Sequence, residues 1–179
     1  NPLGTRMPDS RKQVLLRLLA DHDVPLVEDD IYGDLPLSGT RPLPIKAWDR
    51  DGLVYYCSSC SKTLSAGMRV GWLVPGRDFQ RAQYLQFINT VSVATPSQLA
   101  LAHFLEKGHY DRYLRRVRSL HAKAVARMTD RVTELFPADT RVSRPEGGFV
   151  LWLELPGRVN TTELAERALD AGVNFAPGA

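Results

Sequence analysis

The chain has 179 residues, enough for one average domain or for one domain with a small appendage. Apolar residues make up 44% and charged residues 24%, an ordinary balance for a chain able to bury a core, so disorder is not expected. The net charge of +3 comes from 23 basic and 20 acidic residues with no basic run, which speaks against a nucleic-acid-binding surface in this segment.

No apolar run reaches the length of a membrane span, and no charged-then-apolar leader opens the sequence, so the expected compartment is the cytoplasm. Asn1-Pro2-Leu3-Gly4 has the composition of a turn. Asp9 or Ser10 can cap a helix running to about His22, with Val14, Leu15, Leu18 and Leu19 at helical spacing and Arg11, Lys12 and Arg17 facing outward. Pro25-Leu26-Val27 then enters a short buried-type strand that ends in Glu28-Asp29-Asp30-Ile31-Tyr32-Gly33-Asp34. Carboxylates and a tyrosine at a strand's carboxyl end matter because ligands of open α/β sheets bind at that edge.

The stretch Pro36 to Asp51 is rich in proline and charge and reads as an exposed loop. Leu53 to Cys57 forms a second strand and Val70 to Val74 a third. Between them stands Ser58-Ser59-Cys60-Ser61-Lys62-Thr63-Leu64-Ser65-Ala66-Gly67-Met68-Arg69, with a lysine delivered to the same sheet edge. Burial favours a neutral, nucleophilic amine at such a position. Cys57 and Cys60 form a C-x-x-C pair, but no second pair or closely spaced histidines follow. No metal site is expected, and the cysteines read as small side chains at a strand end.

Downstream the pattern is mostly helical. Phe79, Ala82, Leu85 and Ile88 or Phe87 mark one helix, Pro96 opens another, and both read as covering helices. A long helix is expected from about Tyr110 to Phe136, with Arg112, Arg115, Arg116, Arg118, Lys123 and Arg127 on a solvated face. Short strands are expected at Thr140 to Ser143 and Phe149 to Leu155, joined through Pro145-Glu146-Gly147-Gly148, where glycine permits close backbone approach to a ligand or neighbour. Thr161 or Thr162 caps a last helix through Leu169, and Gly172 to Phe175 begins another strand.

The ordered set N-P-x-G, E-D-D-x-Y, S-x-S-K-x-x-x-x-G-x-R-x-G and P-x-G-G-F-x-x-W resembles the pyridoxal-phosphate-dependent aminotransferases of class I/II, fold type I, across essentially the whole chain. The resemblance implies an α/β fold: a partial large domain with an α/β/α sheet at 1–107, then a connecting helix and partial small α+β domain at 108–179. It implies pyridoxal 5′-phosphate as cofactor, with Lys62 as its covalent partner and catalytic base. Asp29 would pair with the pyridine nitrogen, Tyr32 and Asn1 would bond the ring oxygen, and Ser59, Ser61 and Arg69 would hold the phosphate. Those residue types suit the chemistry: a carboxylate keeps a ring nitrogen protonated, and an arginine fork with hydroxyls clamps a phosphate.

The wording of the motifs is most similar to the aminotransferase-like effector domain of MocR-type regulators, in which a GntR-type winged helix precedes a domain sensing an amino acid or related small ligand. The resemblance implies a homodimer, with DNA contacted only through an N-terminal domain outside this chain. It also implies that part of the large domain precedes Asn1 and that the arginine gripping a substrate carboxylate lies outside these residues. A free-standing aminotransferase, exchanging amino groups between an amino acid and a 2-oxo acid, and a scaffold that has lost the cofactor remain alternatives. Transamination is an expectation for the intact protein rather than for these residues alone.

Overall fold

The structure, a computed structural model, describes residues 1–178. Helix α1 (Asp9–Asp21) leads into strand β1 (Leu26–Asp29), which pairs in parallel with β2 (Val54–Ser59). Strand β3 (Gly71–Val74) pairs antiparallel with β2, so the sheet order is β1-β2-β3. Helices α2 (Phe79–Thr90), α3 (Thr95–Glu106) and α4 (His109–Leu135) follow, then a two-stranded antiparallel sheet of β4 (Arg141–Val142) and β5 (Leu153–Glu154), and finally α5 (Thr161–Asp170). The α/β class expected from the sequence is observed. No helix among the described residues is long and apolar enough to cross a membrane.

Registers Leu26↔Val54, Val27↔Tyr55 and Asp29↔Cys57 place alternate residues of β1 and β2 on opposite faces of the sheet. Over β1 and β2 one face is closed: Val54 is fully buried, and Leu53, Leu35 and Ile45 lie with it in the core, whereas β3 is exposed on both faces. The other face carries Val27, 71% exposed, and Leu73, 47% exposed. Asp29 lies on that open face, also exposed.

The segment expected as an exposed loop contributes to the closed face instead. Pro36 and Ile45 are buried, and Ile45–Trp48 forms a short 3-10 turn packed against α1. Both oxygens of Glu28 hold its start: Oε1 accepts from the Ile45 amide at 2.7 Å and Oε2 from the Lys46 amide at 3.0 Å. Asp49 closes its other end, accepting from the Leu53 amide at 3.1 Å, the Val54 amide at 3.0 Å and Lys46 Nζ at 2.8 Å. Burial works against the Asp49 charge, but the Lys46 hydrogen bond and the two backbone donors hold its carboxyl below the ordinary value.

Lys12 also departs from expectation. Its side chain is buried rather than outward, with Nζ donating to the Leu43 carbonyl at 2.5 Å and to Asp9 at 3.3 Å. A long aliphatic stem can lie along the core while its ammonium reaches polar partners, which helical spacing alone does not reveal. Pro8 occupies the cap position of α1 with no side-chain bond, so neither Asp9 nor Ser10 caps it.

The two helices expected to cover the sheet form where anticipated, yet α2 buries none of its residues and α3 only Leu101. Along α4, Leu114 and Val132 are buried while Leu120, Met128 and Leu135 on the same apolar side stay exposed. Arg118 departs from the solvated face: half-buried, it donates from Nε to the Asp34 carbonyl at 2.8 Å.

The last segment is less stranded than its apolar runs suggest. Trp152 gives its amide to Ser143 Oγ at 2.9 Å while its carbonyl accepts from the Ser143 amide, so the ladder narrows to two residues per strand. Asn160, rather than Thr161 or Thr162, caps α5 by accepting from the Thr162 and Glu163 amides. Gly172 to Phe175 forms no strand: Gly172, at φ +81°, and Val173 turn back to bond the Leu169 and Ala168 carbonyls, closing the helix end.

Candidate functional site

Three consecutive acids end β1, and the structure gives them different surroundings. Glu28 is used by the 3-10 turn. Asp30 Oδ2 accepts from Arg41 Nη2 at 2.5 Å and from the Tyr56 hydroxyl at 2.8 Å. Among the described residues Asp29 accepts only the Ile31 amide, at 3.3 Å, and it is exposed on the open face. Its neighbour in register, Cys57, has its thiol pushed up by burial and then by the Asp29 charge. Burial raises the Tyr56 hydroxyl above its ordinary value, and its bond to Asp30 adds to the rise.

The chain continues into Tyr32, whose ring lies 6.0 Å from Lys62 Nζ. Tyr32 meets the edge of Phe149 at 5.5 Å between centroids, and Phe149 is in turn stacked at a tilt on His121 at 5.0 Å. Gly148, at φ +75°, lies against the Tyr32 ring, where a β-carbon would come within 3.3 Å of Cδ1. The close approach expected of this glycine turn is therefore made to a neighbour. The same turn bonds the Gly4 carbonyl through Glu146 and the Leu35 carbonyl through Gly148, each at 2.8 Å. Asn1 and Tyr32 line one cleft there, walled largely by Pro2, Gly4, Gly33, Pro36, Pro42, Gly147 and Gly148.

Strand β2 delivers the lysine. Ser59, its last residue, pairs with Gly71 and accepts the Ser61 amide on Oγ at 3.3 Å. Cys60 is buried, with its thiol directed to the Val70 carbonyl at 3.3 Å, and Leu64 and Ser65 turn back to the Cys60 carbonyl. Cys60 therefore packs inside the turn, Cys57 is half-buried on β2, and Lys62 is exposed at the head of this turn. Arg69 is exposed in the left-handed region at φ +52°, donating to the Ala66 carbonyl at 3.3 Å. The structure thus brings Asn1, Tyr32 and Lys62 to one neighbourhood at the sheet edge and sets Asp29, Ser59 and Ser61 on the same strand ends. Arg69 is hydrogen-bonded to neither serine.

Beneath this edge lies a polar network that the sequence reading missed. Arg41 bridges Asp30 and Asp34, with Nε to Asp34 Oδ1 at 2.5 Å. Burial works against its charge, but the Asp34 hydrogen bond and the two carboxylates hold the guanidinium above its ordinary value. Asp34 Oδ2 accepts from the Tyr110 hydroxyl at 2.9 Å, and that hydroxyl lies 3.0 Å from Thr63 Oγ1. The Tyr110 hydroxyl is pushed up to about 12, chiefly by burial, with Thr63 opposing and Asp34 adding to the rise. No sequence motif marks Arg41 or Tyr110; the only available signal is the four-residue spacing of Asp30 and Asp34 across a turn.

The description aminotransferase class I and II fits the sequence over residues 1–179. This chain belongs to that family. Among relatives of this family member, the uncharacterized HTH-type transcriptional regulator YjiR of Escherichia coli (strain K12) is 39% identical over 178 residues, covering 99% of this chain and 38% of the relative. The uncharacterized aminotransferase SSO0104 of Saccharolobus solfataricus is 34% identical over 180 residues, with 99% and 45% covered. A crystal structure of LysN, the alpha-aminoadipate aminotransferase of Thermus thermophilus complexed with N-(5′-phosphopyridoxyl)-L-leucine, superposes with a TM-score of 0.91 at 30% identity. That match covers 99% of this chain and 46% of LysN. The chain spans less than half the length of these relatives.

Proposed function

We propose that this chain is the pyridoxal-phosphate-binding, amino-acid-sensing part of an HTH-type transcriptional regulator. The observation that carries the reading is the division of labour among the three acids: Glu28 and Asp30 are engaged by side-chain and turn donors, while Asp29, at the strand end that leads into Tyr32, accepts only the Ile31 amide among the described residues. Such a donor set fits the cofactor by its chemistry, with a carboxylate for a protonated ring nitrogen, an amine for an aldehyde, and serines with an arginine for a phosphate dianion. When bound, the cofactor would supply an electron sink for an amino acid's α carbon.

In this reading Asp29 would keep the ring nitrogen protonated, Tyr32 and Asn1 would hold the ring through its oxygen, Ser59 and Ser61 would hydrogen-bond the phosphate, and Arg69 would balance its charge. Lys62 Nζ would hold the cofactor covalently and is the amine that would carry a proton to or from the ligand's α carbon. Residues 1–107 would form the cofactor lobe and 108–179 a second lobe, a division supported by the left-handed Gly108 between α3 and α4. Similarity to YjiR favours the regulator; the same proposal includes DNA contact through a separate segment, a cytoplasmic site of action and a homodimeric assembly.

The aminotransferase reading is the second, favoured by similarity to SSO0104 and LysN. The intact protein, incubated with pyridoxal phosphate, is expected to show a visible absorbance band that is lost in Lys62→Ala and perturbed by an amino acid. A colourless wild type overturns both readings. Exchange of amino groups between an amino acid and a 2-oxo acid at enzymatic rates overturns the regulator in favour of the enzyme.

A further inference from the structure

We propose that Tyr110, acting through Thr63 and Asp34, is a positioning residue that fixes the Lys62 turn against the Asp29–Tyr32 segment. The proposal rests on the cofactor reading above for what is positioned, but the connection itself is made of protein atoms only. Thr63, the residue after Lys62, is 4% exposed, and its hydroxyl meets the Tyr110 hydroxyl at 3.0 Å. The same Tyr110 oxygen lies 2.9 Å from Asp34 Oδ2.

An ionised carboxylate can only accept, so the Tyr110 proton is committed to Asp34 and the Tyr110 oxygen is left to accept from Thr63. The direction of both hydrogen bonds is thereby set. Asp34 in turn stands two residues after Tyr32, and its other oxygen holds Arg41. Arg41 reaches Asp30, the residue after Asp29. Lys62, Asp29 and Tyr32 therefore each sit one or two residues from a member of this network. None of the three is itself a member.

Helix α4 grips the network twice. Arg118, eight residues beyond Tyr110 and so about two turns along the same face, donates to the Asp34 backbone carbonyl at 2.8 Å. The turn carrying Lys62 and the loop carrying Tyr32 thus share an anchor on one rigid element. Removing the Tyr110 hydroxyl takes the partner from Thr63 Oγ1 and from Asp34 Oδ2, leaving Asp34 only Arg41, and breaks the link between the two segments.

The test uses the intact protein. Wild type and Lys62→Ala, compared for the visible band, decide the cofactor reading by themselves. Tyr110→Phe, which removes one hydroxyl, is expected to weaken pyridoxal phosphate retention about tenfold, the scale of one lost hydrogen bond to a charged group. It is also expected to shift the pH midpoint of the visible band. In the cofactor-free protein, amide hydrogen exchange across residues 59–65 should speed up by about the same factor.

A Tyr110→Phe protein that melts earlier but keeps wild-type cofactor retention, spectral midpoint and exchange overturns the proposal, leaving Tyr110 a purely structural group. Should that variant not fold, Thr63→Val and Thr63→Ser replace it. Thr63→Val is expected to reproduce the loosening and Thr63→Ser to retain wild-type behaviour; equal behaviour of the two overturns the proposal. The exchange measurement needs no cofactor, so it decides the positioning even if the wild type proves colourless.

Discussion

The two faces of the three-stranded sheet treat acidic side chains in opposite ways. On the closed face Glu28 serves backbone amides, and at the strand end Asp30 is bound by a guanidinium and a phenol. On the open face Asp29, one residue from each, has a single long bond to a backbone amide. Chemically these are the same group, aspartate or glutamate in one short run. A carboxylate surrounded by donors is a structural device, whereas one that keeps a single long bond on an exposed face is free to meet a ligand. The face of the strand decides which it becomes.

Substitutions can break this contrast, and in the intact protein their effects on stability should fall in a definite order. Asp30→Ala should cost the most, about 3 kcal/mol, because it takes one of the two carboxylates from the half-buried Arg41 and removes the acceptor of the Tyr56 hydroxyl; chemical denaturation would measure it. Asp49→Asn should cost about 2 kcal/mol, since three donors converge on a charge that the amide lacks. The Asp49 carboxyl titrates lower in the folded than in the unfolded state. Its contribution is therefore present above the ordinary value of 3.8 and lost as the pH falls through the lowered folded value. Melting temperatures of wild type and Asp49→Asn should accordingly converge toward low pH.

Asp29→Asn should change stability least, within about 0.5 kcal/mol, as for an exposed side chain without partners. The same substitution should sharply reduce pyridoxal phosphate binding, read as loss of the visible band at limiting cofactor. If Asp29→Asn destabilises the fold as much as Asp30→Ala and leaves the cofactor untouched, the two faces do not differ in the way described.

Much of this organisation was legible in the sequence because it rests on local pattern. The apolar runs at Leu26-Val27, Leu53 to Cys57 and Val70 to Val74 mark the strands to within two residues. The helical spacing from Tyr110 onward gives α4 nearly to its ends. What escaped depends on contacts distant in sequence. Lys12 reads as solvated until Leu43, thirty-one residues on, supplies a carbonyl. Arg41 sits in a stretch of proline and charge that looks like surface loop, and Tyr110 reads as one more residue in a helix repeat. The short second sheet was overestimated because Phe149 is directed to Tyr32 and the Gly172 segment is taken up by the end of α5, neither of which apolarity alone distinguishes from strand.

The cleft beside Tyr32 is walled chiefly by glycine and proline, which has a consequence for how it could diversify. Its outline is drawn by main chain, and substitution at these positions alters the path of the chain before it alters the shape of the cavity. Besides Asn1 and Tyr32, to which the proposed function assigns the cofactor, variation in the lining is therefore confined to the walls made of side chain, Thr5, Arg6, Glu146 and Val150. A wall of this kind has few rotamers to freeze when a ligand arrives, so it can accept small, different guests with little ordering cost. On the function proposed above, a change of ligand would fall on those side chains and leave the main-chain cradle as it is.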